Sequence, residues 1–273
     1  MSFPRFWADL KTTDFASLDA TKTVAVLPLG ATEQHGPHLP IAVDQALVDG
    51  IVTSALPLVP QDVPVLVLPT QAVGYSPEHA AFDGTLTLPY DVVLATWMAI
   101  GEGVARSGVR KLLLFNAHGG QASLMDIAAR ELRSRGLIVY GCNWWDLPLG
   151  DAVKGLFTPE EHRFGVHAGE IETSLMLALR PGSVAMEKAQ DFDSSSKDRA
   201  ARFPILGNGR SAKLGWHMRD YNRQGAAGNA KAATAEKGRA VLEAAARGFA
   251  ALVQEISELP LSTLADPAPT PRG

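Results

Sequence analysis

Between residues 30 and 44 the chain reads Gly30-Ala31-Thr32-Glu33-Gln34-His35-Gly36-Pro37-His38-Leu39-Pro40, followed closely by Asp44. Two carboxylates and two imidazoles thus share one short loop stiffened by glycine and proline. Hard carboxylate oxygens mixed with borderline imidazole nitrogens suit Zn²⁺, Mn²⁺ or Fe²⁺ better than Ca²⁺ or Mg²⁺. Each residue also has an ordinary use. A loop carboxylate can simply be solvated, and Asp44 can cap a helix beginning at Gln45.

Two further groupings carry the same chemistry. Asn116-Ala117-His118-Gly119-Gly120-Gln121 follows the apolar run Leu112-Leu113-Leu114-Phe115. A strand-to-helix turn with a hydrogen-bonded histidine explains the glycines there, which admit a tight turn and close approach of a ligand. It does not explain a polar Asn and His at a strand terminus. His167-Ala168-Gly169-Glu170-Ile171-Glu172-Thr173-Ser174 opens the apolar run Leu175–Leu179. The helix macrodipole favours acidic residues in a first turn and accounts for one of the two glutamates. The other, with His167, can supply an acid/base and a further metal ligand. Taken jointly, the three groupings read as a dinuclear metal site with room for a bridging hydroxide.

The elements that must position these residues are visible as alternating patterns. Strand-like apolar runs occur at 23–29, 63–69, 109–116 and 136–142. Helical periodicity occurs at about 44–56, 90–107, 120–135 and 230–259, the last with Val241, Ala244, Ala245, Phe249, Leu252 and Ile256 as its stripe. Alternating strands and helices predict a three-layer α/β/α fold with a mainly parallel sheet, as one domain over residues 1–264. Strand ends are the usual site address in such folds. The polar, Gly-rich segment 187–229 is expected to be a lid, an oligomer contact or disorder. Residues 265–273 are expected to be a frayed tail.

Composition narrows the function classes. The 273 residues carry 25 Lys+Arg against 29 Asp+Glu, a net charge of −4, which argues against nucleic acid or an anionic membrane as partner. The single cysteine, Cys142, excludes an intramolecular disulfide, a thiolate zinc knuckle and an iron–sulfur cluster. The start, Met1 to Trp7, has no signal-peptide h-region, and no run has membrane-spanning length. A cytoplasmic enzyme is expected.

The order of the motifs resembles the creatininase family of metal-dependent amidohydrolases. The residues that carry it are Gly30-Ala31-Thr32-Glu33-Gln34-His35-Gly36-Pro37-His38 with Asp44, then Glu78-His79-x-x-Phe82-x-Gly84-Thr85, Asn116-x-His118-Gly119-Gly120, and His167-Ala168-Gly169-x-x-Glu172-Thr173-Ser174. Gly225-Ala226-Ala227-Gly228 through Gly238 resembles the family's C-terminal signature. The resemblance implies a creatininase-like fold, two divalent ions (Zn²⁺ and/or Mn²⁺, with Fe²⁺ compatible), a small-molecule amide substrate, and a homo-oligomer such as a hexamer.

Carried over by position, the resemblance makes Glu33, His35, Asp44 and His118 metal ligands, with Asp44 bridging, and His167 the catalytic histidine. Creatinine-hydrolysing members have a metal-binding glutamate two residues after the motif histidine, where this chain has Gly120. Glu172 is the expected substitute, as a ligand or as the acid/base partner of His167. Those members also have a tryptophan four residues before the catalytic histidine, where this chain has Arg163, so creatinine itself is not the expected substrate. Trp144 and Trp145 are pocket walls, aromatic core or a subunit contact, and Arg163 and Arg219 could meet a substrate carboxylate. The leading expectation is hydrolysis of a small cyclic amide or formamide. Alternatives are a peptidase that matures a peptide-derived redox cofactor and an inactive metal-binding relative.

Overall fold

The computed structural model describes residues 4–265. All of the expected tail except Ala265 lies outside the described residues. Strand β1 (Val24–Leu29) runs through the Glu33–His38 loop into helix α1 (Val43–Ala55), and β2 (Val65–Val67) and α2 (Tyr90–Arg106) follow. Next come β3 (Lys111–Asn116), α3 (Ala122–Arg133) and β4 (Ile138–Asn143). The four strands pair in parallel in the order β2-β1-β3-β4. The chain continues through α4 (Asp151–Lys154), α5 (Pro159–Phe164) and α6 (Glu170–Leu179). It then forms β5 (Asp191–Phe192), α7 (Ser195–Arg202), α8 (Met218–Tyr221) and β6 (Gly228–Asn229), and ends in the 24-residue helix α9 (Ala235–Glu258).

Alternation along the strands builds two cores. Val24, Val26, Leu113 and Phe115 meet α1, α6 and α9 on one face of the sheet. Ala25, Leu27, Leu29, Leu112 and Leu114 meet Trp97 of α2 and Leu124, Met125, Ala128 and Leu132 of α3 on the other. Burial on both faces is why β1 and β3 read as unbroken apolar runs rather than alternating ones. The result is the expected three-layer α/β/α arrangement.

The differences from expectation have local causes. The run at 63–69 supplies only three strand residues, because Pro64 and Pro69 flank it and lack the N–H that a ladder needs. Helix α9 begins at Ala235 rather than near 230, because the Thr234 side chain accepts a hydrogen bond from Lys237 N–H and caps it. Segment 187–229 is not irregular throughout: it contains α7, α8 and the antiparallel pair β5–β6.

One consequence of strand order positions the site. From β1 the chain crosses to β2 on one side, whereas β3 lies on the other side of β1 and leads on to β4. The crevice at the carboxyl ends of β1 and β3 is therefore a topological switch point, where loops diverge and leave a cleft. The Glu33–His35 loop leaves β1 there and His118 leaves β3 there.

Candidate metal centre

Glu33, His35, Asp44 and His118 meet at that crevice, each no more than 2 % exposed. His35 Nε2 lies 3.3 Å from Asp44 Oδ1, and His118 Nδ1 lies 3.3 Å from Asp44 Oδ2 and 3.2 Å from Glu33 Oε1. The two oxygens of Asp44, in the first turn of α1, thus face different imidazoles. Asn116 pins the turn after β3: its Nδ2 donates to the His118 carbonyl at 2.6 Å and its Oδ1 accepts from His118 N–H at 3.1 Å. This explains the polar residue at that strand end.

Backbone carbonyls fix the imidazole orientations. His35 Nδ1 donates to the Glu33 carbonyl (3.0 Å), His118 Nε2 to the Tyr75 carbonyl (2.9 Å) and His167 Nε2 to the Gln34 carbonyl (2.7 Å). A carbonyl only accepts, so the ring nitrogen bonded to it carries the proton and the other can offer a lone pair, as metal-ligating and catalytic histidines do. The His167 ring lies between those of His35 and His79, with centroids at 4.1 and 4.2 Å. Its Nδ1 is 3.9 Å from Glu33 Oε1. His35, His167 and Glu172 also bring ligand-type atoms within 4.8 Å of one another.

The loop that carries His167 is held at both ends. Ala168 sits at φ 53°, a left-handed conformation unusual for a residue with a side chain, and its N–H donates to Glu172 Oε2 at 2.6 Å. Glu161 accepts from Glu170 N–H at 2.6 Å and Asn229 N–H at 2.9 Å, joining the start of α6 to β6. His167 forms an isolated antiparallel bridge with Ala227, in the segment that begins at Gly225.

The electrostatics are those of a cation site. Burial alone would lower the His35 imidazole, yet Asp44, with Glu172 and Glu33, outweighs it and lifts the ring to about 9. His118 is likewise raised against its burial by Glu33 and Asp44. Burial would raise Asp44, but His35 and His118 hold it below the ordinary carboxylate range. Burial raises Glu172 to about 7, with His35 opposing. Burial, helped by His35 and His79, keeps His167 well below its ordinary value. Among the described residues, His35 Nε2 and Asp44 Oδ2 are buried without a hydrogen-bond partner. Unmet lone pairs in this setting are costly unless a cation meets them, so the donor set fits divalent metal.

Not every expected residue joins the cluster. His38 points away, its Nε2 at 2.9 Å from Thr173 Oγ1 and its ring stacked on Phe192. Glu170 is paired with Lys237. Arg163 donates to the Gly207 carbonyl and Arg219 to the Ala81 carbonyl, and neither lines the cavity. Trp144 and Trp145 do line it, at a volume of about 430 Å³, together with Gly119, Gly120 and Trp216.

One short turn, Pro77–His79, supplies neighbours to which the motif reading assigned no role. Ser76 Oγ donates to Glu33 Oε2, and His79 Nε2 lies 3.4 Å from Glu33 Oε1 while its Nδ1 accepts from Gln34 Nε2 at 2.7 Å. Glu78 Oε1 lies 3.5 Å from His118 Nε2. The signal available in sequence was the Glu78-His79 pair after a strand-like run; nothing local places it beside His118 and His167.

The family model described as creatininase, creatinine amidohydrolase, matches residues 8–253. The chain is 31 % identical over 257 residues to a creatinine amidohydrolase of Pseudomonas putida, covering 88 % of this chain and 92 % of the relative. It is 32 % identical over 179 residues to a mycofactocin precursor peptide peptidase of Mycobacterium tuberculosis, covering 63 % of this chain and 65 % of that one. A solved structure of a creatininase variant of Zn–Zn type superposes with a TM-score of 0.74 at 29 % identity, covering 93 % of this chain and 98 % of that one.

Proposed function

This chain belongs to the creatininase family, and on that premise we propose that it is a metal-dependent amidohydrolase that breaks the C–N bond of a small cyclic amide or formamide. The observation that carries the reading is the buried Glu33–His35–Asp44–His118 cluster, with its unpartnered His35 Nε2 and Asp44 Oδ2. Glu33, Asp44 and His118 would hold one ion, and His35, Asp44 and Glu172 the other. The two Asp44 oxygens, each facing a different imidazole, support a bridging role. Zn²⁺ and Mn²⁺ both suit this donor set, as does Fe²⁺. When bound, such ions supply a Lewis acid for the carbonyl and bring the pKa of water from about 16 towards 7.

The remaining groups do the positioning and the proton work. Gly119 and Gly120 head α3, and their backbone N–H groups are suited to the oxygen that gains charge as water adds to the amide carbon. His167 keeps its Nε2 proton on the Gln34 carbonyl and offers Nδ1 to the cavity. It takes a proton there as water adds and returns it to the departing nitrogen, since an amine leaves readily only when protonated. Its lowered pKa makes it a willing donor. Glu172, tied to Ala168 N–H, keeps the His167 loop in register with the cluster. Self-association as a homo-oligomer is part of the proposal, supported by the exposed Ile205, Leu206 and Leu214 in segment 187–229.

The test is turnover of cyclic amides and formamides by metal-loaded protein beside His167→Ala. A rate loss of about 10²- to 10⁴-fold at unchanged metal content is expected. Equal turnover by the variant would contradict the role of His167. One observation favours a second reading, the peptidase. An apolar cavity of about 660 Å³, bordered by Leu149, Val153 and Phe157, shares Trp144, Trp145, His162 and Ile171 with the metal cavity and could seat an extended chain. Release of a dipeptide rather than a small acid or amine would favour it.

A further inference from the structure

Helix α6 starts just beyond His167, and its N-cap residue, Gly169, has no side chain with which to cap it. The cap comes from a different helix. Glu161 of α5 is 4 % exposed; its Oε1 accepts from Glu170 N–H at 2.6 Å and its Oε2 from Asn229 N–H at 2.9 Å. One carboxylate therefore ties the backbone just after His167 to the backbone just after Ala227. Those two residues are themselves bridged: Ala227 N–H donates to the His167 carbonyl at 2.9 Å, and His167 N–H to the Ala227 carbonyl at 3.5 Å. Glu161 closes the open end of that bridge.

The chain around this side chain is shaped to admit it. A Cβ at Gly165 or at Gly169 would overlap Glu161 Oε1, and one at Gly228 would crowd both oxygens at 2.9 Å. Burying a carboxylate is costly unless its oxygens are met, and a backbone N–H bonded to an ionised acceptor is about twice as strong as a neutral pair. The strain that these bonds hold lies beside His167. Ala168, between His167 and the capped end of α6, sits at φ 53°. A left-handed residue with a side chain persists only where its surroundings over-determine it. Glu172 holds that residue's N–H, and Glu161 holds the backbone that follows it.

We propose that Glu161 is a positioning residue that acts on the reaction through His167. By locking the 167–170 backbone against the 227–229 backbone, it keeps the His167 ring where Nε2 meets the Gln34 carbonyl and Nδ1 faces the cluster. The role given to His167 rests on the amidohydrolase reading; the tether itself does not. The proposal also gives Gly165, Gly169 and Gly228 a shared purpose, which is to leave space for one carboxylate.

The test is NMR of ¹⁵N-histidine-labelled, Zn²⁺-loaded protein, with the His167 signals assigned by their loss in His167→Gln. Two variants break the tether in different ways. Glu161→Gln keeps the size but turns an NH₂ towards one of the two N–H groups, since an amide has only one oxygen to accept with. Gly169→Ala leaves Glu161 intact and displaces its carboxylate. Wild-type His167 is expected to show one protonated and one unprotonated nitrogen, as a fixed Nε2–H tautomer. In each variant the two signals should shift towards a common average, with metal content and the His35 and His118 signals unchanged. Either variant is decisive alone should the other fail to fold. A fixed tautomer that survives in the variants, an already averaged wild type, or loss of metal in the variants would each overturn the proposal. Averaging in the variants of a protein that turns over no amide would fault the hydrolase reading alone, whereas turnover with a tautomer indifferent to Glu161 would fault only the tether.

Discussion

At the residue scale, the site is built from imidazoles whose outer nitrogens are committed before any ligand arrives. His35, His118 and His167 each give one N–H to a backbone carbonyl, which leaves the opposite nitrogen aimed at the cluster. A pH consequence follows from His35, whose value rises from 6.5 to about 9 beside Asp44 in the metal-free protein. Below about 9 the ring holds a proton that a metal must displace, and His118, also raised, behaves alike. The sign is therefore fixed. The stabilisation that these protons give the metal-free fold is full below pH 6.5 and is lost as pH rises through about 9. Apparent metal affinity moves the opposite way, rising about tenfold per pH unit for each proton displaced. Calorimetric titration with Zn²⁺ in two buffers of different protonation enthalpy reads the release directly, and binding at pH 7 with no proton released would contradict it.

At the scale of elements, the His167 loop depends on how closely α6 meets α9. Gly238 of α9 lies against the Ser174 carbonyl of α6, where a Cβ would overlap it. Helix α6 carries Glu172, so Gly238→Ala must displace the helix that presents it. A loss of about 1–3 kcal/mol in urea unfolding is expected, as for other overpacked contacts, together with reduced metal content. Unchanged stability and metal content would show that the approach is not tight. This scale also shows what the sequence could reveal. Strands β1 and β3 and helices α1, α2, α3 and α9 were legible, because burial on two faces or one stripe leaves long apolar patterns. Helices α7 and α8 were not. They are short and largely polar, and Arg199 and Arg202 of α7 lie over the Tyr221 and Phe203 rings rather than beside an apolar stripe. Glu33, His35, Asp44, His118, His167 and Glu172 could be singled out because each sits in a motif at a strand end or helix start. The placement of Glu78 and His79 could not, since it depends on the loop after β2 folding back across β1 and β3, a long-range event without a local signature.

At the scale of the molecule, the candidate metal centre lies where loops from β1 and β3 meet α1 and α6, so ions bound there would brace the sheet against one helical layer. Among the described residues, His35 Nε2 and Asp44 Oδ2 are buried there without a hydrogen-bond partner, and such unmet groups weaken the fold until a cation answers them. Chelation is therefore expected to lower thermal stability. An ion present at a thousandfold excess over its Kd contributes about 4 kcal/mol, and each kcal/mol shifts Tm by about 2–4 °C in a chain of roughly this size. A melting curve unmoved by chelator would count against ions that couple to the fold. The most direct test is elemental analysis of the purified protein beside His118→Ala, since His118 faces both Glu33 and Asp44. Near two equivalents of divalent transition metal in the native protein, falling to one or none in the variant, is the predicted result. No metal after reconstitution, or full occupancy retained in His118→Ala, would contradict a dinuclear centre built on these residues.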